Sequence, residues 1–309
     1  MDIFIQQLIN GLVLGAIYAL VALGYTMVYG ILGLINFAHG EVVMIGALVA
    51  LSAIQILTGS GIGLPGPAIA ALGLLVSAPV CMLLGYTIER VAYRPLRGAP
   101  RLTPLITAIG VSIVLQNVAM IVWGRQYHAF PPMLPAAPHQ FAGATVSDLQ
   151  IFIVLLSCAI MAALLLLVHR TRFGCAMRAT AQNPEVAGLM GVNINTVISL
   201  TFVIGSALAA VAGLMISAYY GVAHYFMGFT LGLKAFTAAV LGGIGNLAGA
   251  MLGGVLLGLI ESLGAGYIGD LTGGFLGSHY QDVFAFFVLI LVLTLRPSGL
   301  LGERVAERS

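Results

Sequence analysis

Apolar segments of about 20 residues recur along the whole 309-residue chain, and this recurrence constrains the fold more than any motif. A helix needs about 20 apolar residues to cross the ~30 Å hydrocarbon core of a bilayer. In lipid, every backbone polar group has to be paired within the spanning element, which favours helices. Only 7% of the residues are charged, against roughly 25% in a soluble domain. The sequence therefore predicts an all-α polytopic membrane protein with a single transmembrane domain, residues 1–309.

Loops rich in glycine, proline or charge separate the predicted spans. The segment Phe229–Leu241 has only 13 residues. It makes about 20 Å of helix at ~1.5 Å per residue, which is less than a full crossing. We expect it to be part of a broken or re-entrant helix, so that the chain has eight to nine transmembrane helices. The predicted segments are Phe4–Tyr29, Val42–Leu57, Ala68–Ile88, Leu102–Trp123, Leu149–Val168, Ile194–Tyr219, Phe229–Leu241 (the short one), Leu247–Gly266 and Asp282–Leu295.

The basic residues predict the orientation. Of 12 Lys and Arg residues, 10 fall within three groups, Arg90–Arg101, Arg170–Arg178 and Arg296–Arg308, which the positive-inside rule places in the cytoplasm. An even number of crossings has to separate any two groups, so the short segment is expected to cross. This puts the N-terminus outside and the C-terminus in the cytoplasm. The first span has no basic residue before it, unlike a cleaved signal peptide, and is expected to remain.

The longest polar stretch, residues 169–193, is predicted to hold a short helix outside the membrane, Pro184–Met190. Its flanking residues match helix caps: Asn183 is a good N-cap, Pro184 suits the first helical position, Glu185 lies at the positive end of the helix dipole, and Gly191 supplies the left-handed stop. A helix of about two turns is too short to be stable alone. We therefore expect it to lean on another surface.

Three polar residues, Asn36, His39 and Glu41, lie close together at a predicted membrane boundary. Two interpretations stay open, since they either line a substrate path or stabilise the start of the second span, where Glu41 would favour the first helical turn. His39 has no second His or Cys at ligand spacing, so metal binding is not expected.

Two further positions inside predicted spans are polar. The pair Gln116 and Asn117 either bonds to neighbouring helices or presents amide groups to a permeant molecule. Glu261 is a candidate ion-coupling carboxylate, although the sequence shows no partner for it.

The sequence lacks several common motifs of nucleotide-binding and catalytic sites. Lys234 is the only lysine, and no G-x-x-x-x-G-K-[ST] motif precedes a helix, so an ATP-binding P-loop is not expected. The hydrolase and metalloprotease motifs G-x-S-x-G and H-E-x-x-H are also missing. We expect no catalytic residues and no cofactor in this chain, and the net charge of +2 gives no indication of nucleic-acid binding.

Four segments together resemble the permease subunits of high-affinity branched-chain amino acid ABC importers, of the shorter permease type. They are I-N-F-A-H-G-E-V-V-M-I-G-A (Ile35–Ala47), E-R-V-A-Y-R-P-L-R (Glu89–Arg97), A-I-G-V-S-I-V-L-Q-N (Ala108–Asn117) and K-A-F-T-A-A-V-L-G-G-I-G (Lys234–Gly245). The resemblance implies a channel subunit in the inner membrane. Its implied partners are a second related permease, two cytoplasmic ATPases that bind ATP, and a periplasmic binding protein for leucine, isoleucine or valine.

The resemblance also implies a role for residues 169–193 as the loop that docks on the ATPase. Glu185, Ala187 and Gly191 match the E-A-A-x-x-x-G pattern of importer permeases, with Val186 in place of the middle alanine. The implied coupling residues are Asn183, Pro184, Glu185, Ala187, Leu189 and Gly191. The alternative interpretation of the loop is a helix at the lipid surface, because Val186, Leu189 and Met190 are apolar.

Two alternatives to this function stay open at the level of sequence. Relatives of such permeases carry urea, short amides or other apolar amino acids, and nothing in the residues indicates a side-chain pocket. The other alternative is a self-sufficient secondary transporter that an ion gradient drives through Glu261.

Overall fold

The computed structural model describes residues 2–61, 63–100, 102–132, 138–141, 143–271 and 280–302. Its helices are α1 (Asp2–Leu32), α2 (His39–Gly59), α3 (Gly66–Ile88), α4 (Leu102–Trp123), α5 (Asp148–Arg170), α6 (Arg172–Gln182), α7 (Pro184–Leu189), α8 (Ile194–Tyr220), α9 (Met227–Gly242), α10 (Leu247–Leu271) and α11 (Gln281–Leu295). Seven of these described helices are long and apolar enough to cross a membrane. The predicted class, a helical polytopic membrane protein, is confirmed.

Each predicted apolar segment corresponds to one helix, and their ends differ by five residues or fewer. The fourth segment, Leu102–Trp123, has the predicted bounds. The third runs further than predicted, because a π-helical turn (Glu89–Tyr93) and a 3-10 turn (Arg94–Leu96) continue α3. The predicted glycine-rich loop before α11 and the charged tail with Arg304 and Arg308 lie outside the described residues.

Two short strand pairs were not predicted. β1 (His128–Ala129) pairs antiparallel with β4 (Val222–Ala223), and β2 (Pro138–Phe141) pairs antiparallel with β3 (Ala144–Ser147). The first pair joins the segment after α4 to the segment after α8. The pairing of β1 with β4 depends on contact between distant segments, which no local pattern shows, whereas β2 and β3 are neighbours in the sequence.

Helix α1 occupies the centre of the bundle and is buried on all sides from Val13 to Val28. Helix α1 is apolar on all sides, which is typical of a buried helix. A Cβ atom on Gly11 would lie 2.8 Å from Leu259 Cα, and one on Gly15 would lie 2.7 Å from Val255 Cα. The glycines thus let α1 and α10 approach more closely than any larger residue would allow, as small residues do between membrane helices.

Helix α2 begins inside the bundle rather than at its surface. A Cβ atom on Gly24 of α1 would overlap the His39 ring. Gly24 precedes the end of α1 at Leu32 by about 12 Å at ~1.5 Å per residue. The segment 33–38 therefore turns back into the bundle before α2 starts, and it begins at Gly33 with a φ of +62°.

Helices α9 and α10 form an antiparallel hairpin. The turn between them includes Gly243, with a φ of +108°. The C-terminal stretch packs on this turn, where Leu300 N donates to Leu241 O at 3.0 Å and Leu301 N donates to Gly242 O at 2.9 Å. The predicted short segment is this first arm, α9, with 16 residues.

Helices α6 and α7 lie at the end of the bundle where α5 stops and α8 starts. The sequence predicted α7, which ends one residue earlier than expected, but not α6. Thr171 caps α6 by accepting a hydrogen bond from Gly174 N at 3.0 Å. Gly174, Met177 and Thr180 form its buried face, at the i, i+3, i+6 spacing that indicates an amphipathic helix.

Candidate functional site

Helix α7 and its caps form the first candidate site, an exposed segment at one end of the bundle. The Asn183 side chain accepts a hydrogen bond from Val186 N at 3.1 Å, as an N-cap does. At the other end, Val192 N donates to Ala187 O at 3.0 Å. Gly191 has a φ of +85°, which glycine adopts at little cost. Both predicted caps thus have the expected geometry.

The outer side of α7 is apolar. Leu189 is 87% exposed, Met190 80% and Val186 52%. Ala187 is buried, and α7 packs on α6 and α8. The exposed surface of α7 is therefore largely apolar, while Ala187 lies on the side that packs against the bundle.

A buried ion pair stands where the π-helical turn meets α8. The Glu89 carboxylate, which is fully buried, pairs with the Arg97 guanidinium and accepts a hydrogen bond from Ser199 Oγ at 2.6 Å. Arg97 Nη1 donates to Asn195 Oδ1 at 2.7 Å. We call Glu89, Arg97, Asn195 and Ser199 the arginine cluster. Sequence reasoning missed it as a site, although Glu89 and Arg97 are the outermost residues of one of the quoted motifs.

Burial lowers the pKa of the Arg97 guanidinium, and the neighbouring Glu89 carboxylate opposes that shift. An arginine keeps its charge in proteins all the same. Arg97 therefore stays charged, and its contacts with Glu89 and Asn195 hold the end of α3 against the first turns of α8.

The π-helical turn Glu89–Tyr93 also contacts the segment that leads into α2. Tyr93 OH donates to Asn36 Oδ1 at 3.0 Å, and Ala38 N donates to the same oxygen at 3.2 Å. Asn36 thus fixes the segment that turns back into the bundle. Its amide oxygen accepts both of these hydrogen bonds, so this oxygen has a structural part.

Glu41 lies in the first turn of α2 and turns towards α4. Its Oε1 accepts hydrogen bonds from Gln116 Nε2 at 2.7 Å and from Ser112 Oγ at 3.0 Å. Its Oε2 lies beside Gly228 of α9, buried and without a hydrogen-bond partner among the described residues. The carboxylate therefore joins three helices and keeps one oxygen available.

His39 packs edge-on against Tyr25, with 4.9 Å between the ring centroids. Its Nε2 is buried and has no hydrogen-bond partner among the residues described. The sequence analysis placed His39 and Glu41 at a predicted membrane boundary, and the structure buries both side chains. Both lie well inside the bundle, because the segment before them turns inward.

Asn117 does not join the other predicted pathway residues. Its side chain is exposed and donates to Ile113 O of its own helix at 2.8 Å. Gln116, one residue earlier, donates instead to Glu41 of α2. Of the two predicted amides, only Gln116 bonds to a neighbouring helix.

Glu261 has a partner, contrary to the sequence analysis. Lys234 Nζ lies 2.6 Å from Glu261 Oε1, 2.8 Å from Asp282 Oδ1 and 3.5 Å from Tyr18 OH. We call Tyr18, Lys234, Glu261 and Asp282 the lysine cluster. The α9–α10 hairpin brings Lys234 and Glu261 together, although 27 positions separate them in the sequence.

Comparisons with known proteins identify the family. A model of the family described as "Branched-chain amino acid transport system / permease component" matches residues 7–293. The chain belongs to this permease family. It is 49% identical to the high-affinity branched-chain amino acid transport system permease protein BraD of Pseudomonas aeruginosa, over 99% of this chain and 98% of that protein.

Two other relatives in the permease family have similar coverage. The chain is 44% identical to the high-affinity branched-chain amino acid transport system permease protein LivH of Escherichia coli K12, over 99% of this chain and 97% of LivH. It is 27% identical to a probable branched-chain amino acid transport permease protein LivH of Methanocaldococcus jannaschii, over 92% of this chain and 88% of that protein.

The four segments that resemble this permease family supply several of the polar contacts inside the bundle. The first contains Asn36, His39 and Glu41, and the second contains both charges of the arginine cluster. The third provides Ser112 and Gln116, which bond to the first. The fourth begins at Lys234. Motifs that are far apart in the sequence thus meet in space.

Proposed function

We propose that the chain is the membrane-spanning channel subunit of an ATP-driven importer of leucine, isoleucine and valine. The observation that supports this most strongly is the 44–49% identity to branched-chain amino acid permeases over nearly the full length of both chains. The substrate assignment is tested by uptake of labelled leucine, isoleucine and valine in proteoliposomes with urea and a short amide as competitors. Strong competition by urea would favour the related-substrate alternative.

The proposed partners are a second related permease, two cytoplasmic ABC ATPases and a periplasmic binding protein. ATP binds to the ATPases in this proposal, and the permease itself has neither a catalytic site nor a cofactor. The family supports this division, since its relatives are described as permease components. Purification of the tagged chain is expected to recover P-loop ATPases. Loss of these ATPases from the Gly191→Val variant described below would indicate that they contact α7.

The proposed topology has nine crossings in the inner membrane, with the N-terminus outside and the C-terminus in the cytoplasm. The crossing helices are α1, α2, α3, α4, α5, α8, α9, α10 and α11. The antiparallel packing of α1 on α10 and the hairpin of α9 and α10 support this alternation. Residues 169–193 then lie in the cytoplasm, at the end of the bundle where Arg97 contacts Asn195.

Helix α7 is proposed to dock on an ATPase through Val186, Leu189 and Met190, which are exposed and apolar. A short amphipathic helix in a groove of its partner is a common mode of recognition. Movement of the ATPase would displace α7 and with it α5 and α8. The pathway is proposed to pass the start of α2, where Glu41 and Gln116 meet.

The test replaces Gly191 with valine. The left-handed backbone at Gly191 does not suit a β-branched residue, so the C-terminal end of α7 should unwind or shift. We expect uptake to fall at least several-fold while ATP hydrolysis continues and the protein remains in the membrane. The measurement is uptake and ATP hydrolysis on the same proteoliposomes.

Gly98→Val is the matched control, because Gly98 has open space around it and no left-handed backbone. It should leave both activities close to those of the wild type. Normal uptake by Gly191→Val would contradict the docking role of α7.

The alternative of an ion-driven transporter through Glu261 is not supported by the family match. Glu261 is also engaged by Lys234 at 2.6 Å. A protonophore at constant ATP should therefore leave uptake unchanged, and collapse of uptake would revive the alternative.

A further inference from the structure

The Glu41 carboxylate is buried in the bundle without a basic partner among the residues that the structure describes. Glu41 is 1% exposed, and the ion pairs of the described residues do not include it. Glu89 and Glu261 are buried as well, but each of them faces a basic side chain. A buried carboxylate without a cation is costly, so a cation that reached Glu41 would bind favourably.

The two oxygens of the Glu41 carboxylate have different surroundings. Ser112 and Gln116 of α4 donate to Oε1 at 3.0 Å and 2.7 Å. Oε2 has no hydrogen-bond partner among the described residues. It faces α9, because a Cβ atom on Gly228 would lie 2.5 Å from it. Helix α4 therefore fixes the carboxylate in an orientation that leaves one oxygen for a donor on the α9 side.

Glycines form the contact between α2 and α9 beside this oxygen. A Cβ atom on Gly40 would lie 2.4 Å from Gly228 O and 2.7 Å from Gly232 Cα. The two helices thus touch through their backbones at this point, as small residues allow in membrane proteins. A small movement of α9 away from α2 would open space directly beside Glu41 Oε2.

The groups around this contact suit an ammonium group that carries an aliphatic side chain. The carbonyl oxygens of Gly40 and Gly228 lie at the contact, and an ammonium group has three N–H donors for such acceptors. Met44 lies beside Gly228, and Met227 packs against the same apolar cluster as Met44. Methionine side chains adapt to apolar groups of different shape, which suits leucine, isoleucine and valine alike.

We propose that Glu41 Oε2 receives the ammonium group of the amino acid as it crosses the bundle. This inference rests on the proposed function, which takes the substrate past the start of α2. The ammonium group would reach Oε2 when α9 moves away from α2, and the aliphatic side chain would contact Met44. Urea and short amides, which lack a positive charge, would pair with the carboxylate more weakly. Glu41 would thus favour amino acids over these neutral substrates.

The test compares two replacements of Glu41 that separate charge from shape. Glu41→Gln keeps the length and an acceptor for Ser112 and Gln116 but removes the charge, whereas Glu41→Asp keeps the charge on a shorter side chain. We expect Glu41→Gln to lower ATP-dependent leucine uptake about tenfold or more, since a hydrogen bond to a charged group is lost, and Glu41→Asp to lower it only a few-fold. A purely structural part would reverse this order, because glutamine preserves the contacts with α4 better.

The measurement is leucine uptake in proteoliposomes of the complete importer with its binding protein, beside the Tm of each purified variant. Asp148→Asn is the matched control, since the Asp148 carboxylate is partly exposed and contacts His139 at the start of α5. It should keep the uptake of the wild type.

Three results would overturn the role of Glu41 and leave the proposed function intact. They are uptake by Glu41→Gln equal to that of the wild type, lower uptake by Glu41→Asp than by Glu41→Gln, and a fall in the Tm of Glu41→Gln that accounts for its lost uptake. Absence of leucine uptake by the wild type would overturn the proposed function together with this inference.

Discussion

The lysine cluster and the arginine cluster are both buried ion pairs, but they join different parts of the chain. Lys234 faces two carboxylates and a tyrosine from α1, α10 and α11, and the Glu261 side chain is 1% exposed. Arg97 faces one carboxylate from its own extended helix and one amide from α8, and it is 21% exposed. One cluster ties four helices together, while the other ties two.

The difference suggests two roles. The lysine cluster lies among helices that pack closely through glycines, where movement would leave a carboxylate buried and unpaired. The arginine cluster lies at the ends of α3 and α8, a few residues from the cap of α7, where the helices end and Arg97 can reach water. We therefore expect the first to govern stability and the second to govern coupling.

The largest effect is expected from Lys234→Met, which removes the cation but keeps a long side chain. Glu261 would remain buried without its partner, and breaking a buried pair in this way costs about 3–5 kcal/mol in the free energy of unfolding. The measurement is thermal unfolding of the purified protein, with a clear fall in Tm.

The double variant Lys234→Met with Glu261→Gln tests the reason for that fall. It removes the uncompensated charge and should recover part of the lost Tm. If Lys234→Met alone has the Tm of the wild type, the lysine cluster does not hold the four helices together.

A medium effect on stability is expected from Glu89→Gln. The amide can still accept the Ser199 hydrogen bond, and Arg97 can turn to water, so the loss is about 1–3 kcal/mol. Coupling should suffer more, with a several-fold fall in uptake per ATP hydrolysed. Measurement of both quantities separates the two effects.

Arg94→Gln is the control for this variant, because Arg94 lies in the adjoining turn and forms no ion pair among the residues described. It should leave uptake per ATP unchanged. If Glu89→Gln takes up as much substrate per ATP hydrolysed as the wild type, the arginine cluster does not govern coupling.

The smallest effect is expected from Tyr93→Phe. It deletes the hydroxyl that bonds to Asn36 at 3.0 Å, but Asn36 Oδ1 keeps the bond from Ala38 N. The loss is about 0.5–1.5 kcal/mol, visible as a small fall in Tm. A fall as large as that of Lys234→Met would mean that the start of α2 depends on Tyr93 far more than these contacts indicate.

Local patterns in the sequence predicted the elements well. The apolar segments gave the helices because a helix in lipid needs a fixed length of apolar residues. The caps of α7 were predicted because Asn183, Pro184 and Gly191 act within a few residues of one another. Helix α6 was missed, since its buried face includes only one large apolar residue, Met177, beside Gly174 and Thr180.

Pairings between distant residues could not be predicted in this way. Glu261 showed no partner because Lys234 approaches it only after α9 and α10 fold back on each other. The inward turn before α2 was missed for a similar reason, since the overlap of His39 with Gly24 is a tertiary contact. Gln116 and Asn117 are adjacent in sequence, and only the structure shows that Gln116 bonds to α2 while Asn117 is exposed.

The close packing of α1 on α10 has a consequence for biosynthesis. Roughly 250 positions separate Gly11 from the glycine it meets, Gly258. At ~5–20 residues per second, the ribosome takes on the order of 10–50 s to make that interval. The first helix to enter the membrane therefore waits for nearly the whole translation before its partner emerges, so a nascent chain truncated before α10 should expose the glycine face of α1 to insertion factors and quality-control proteases.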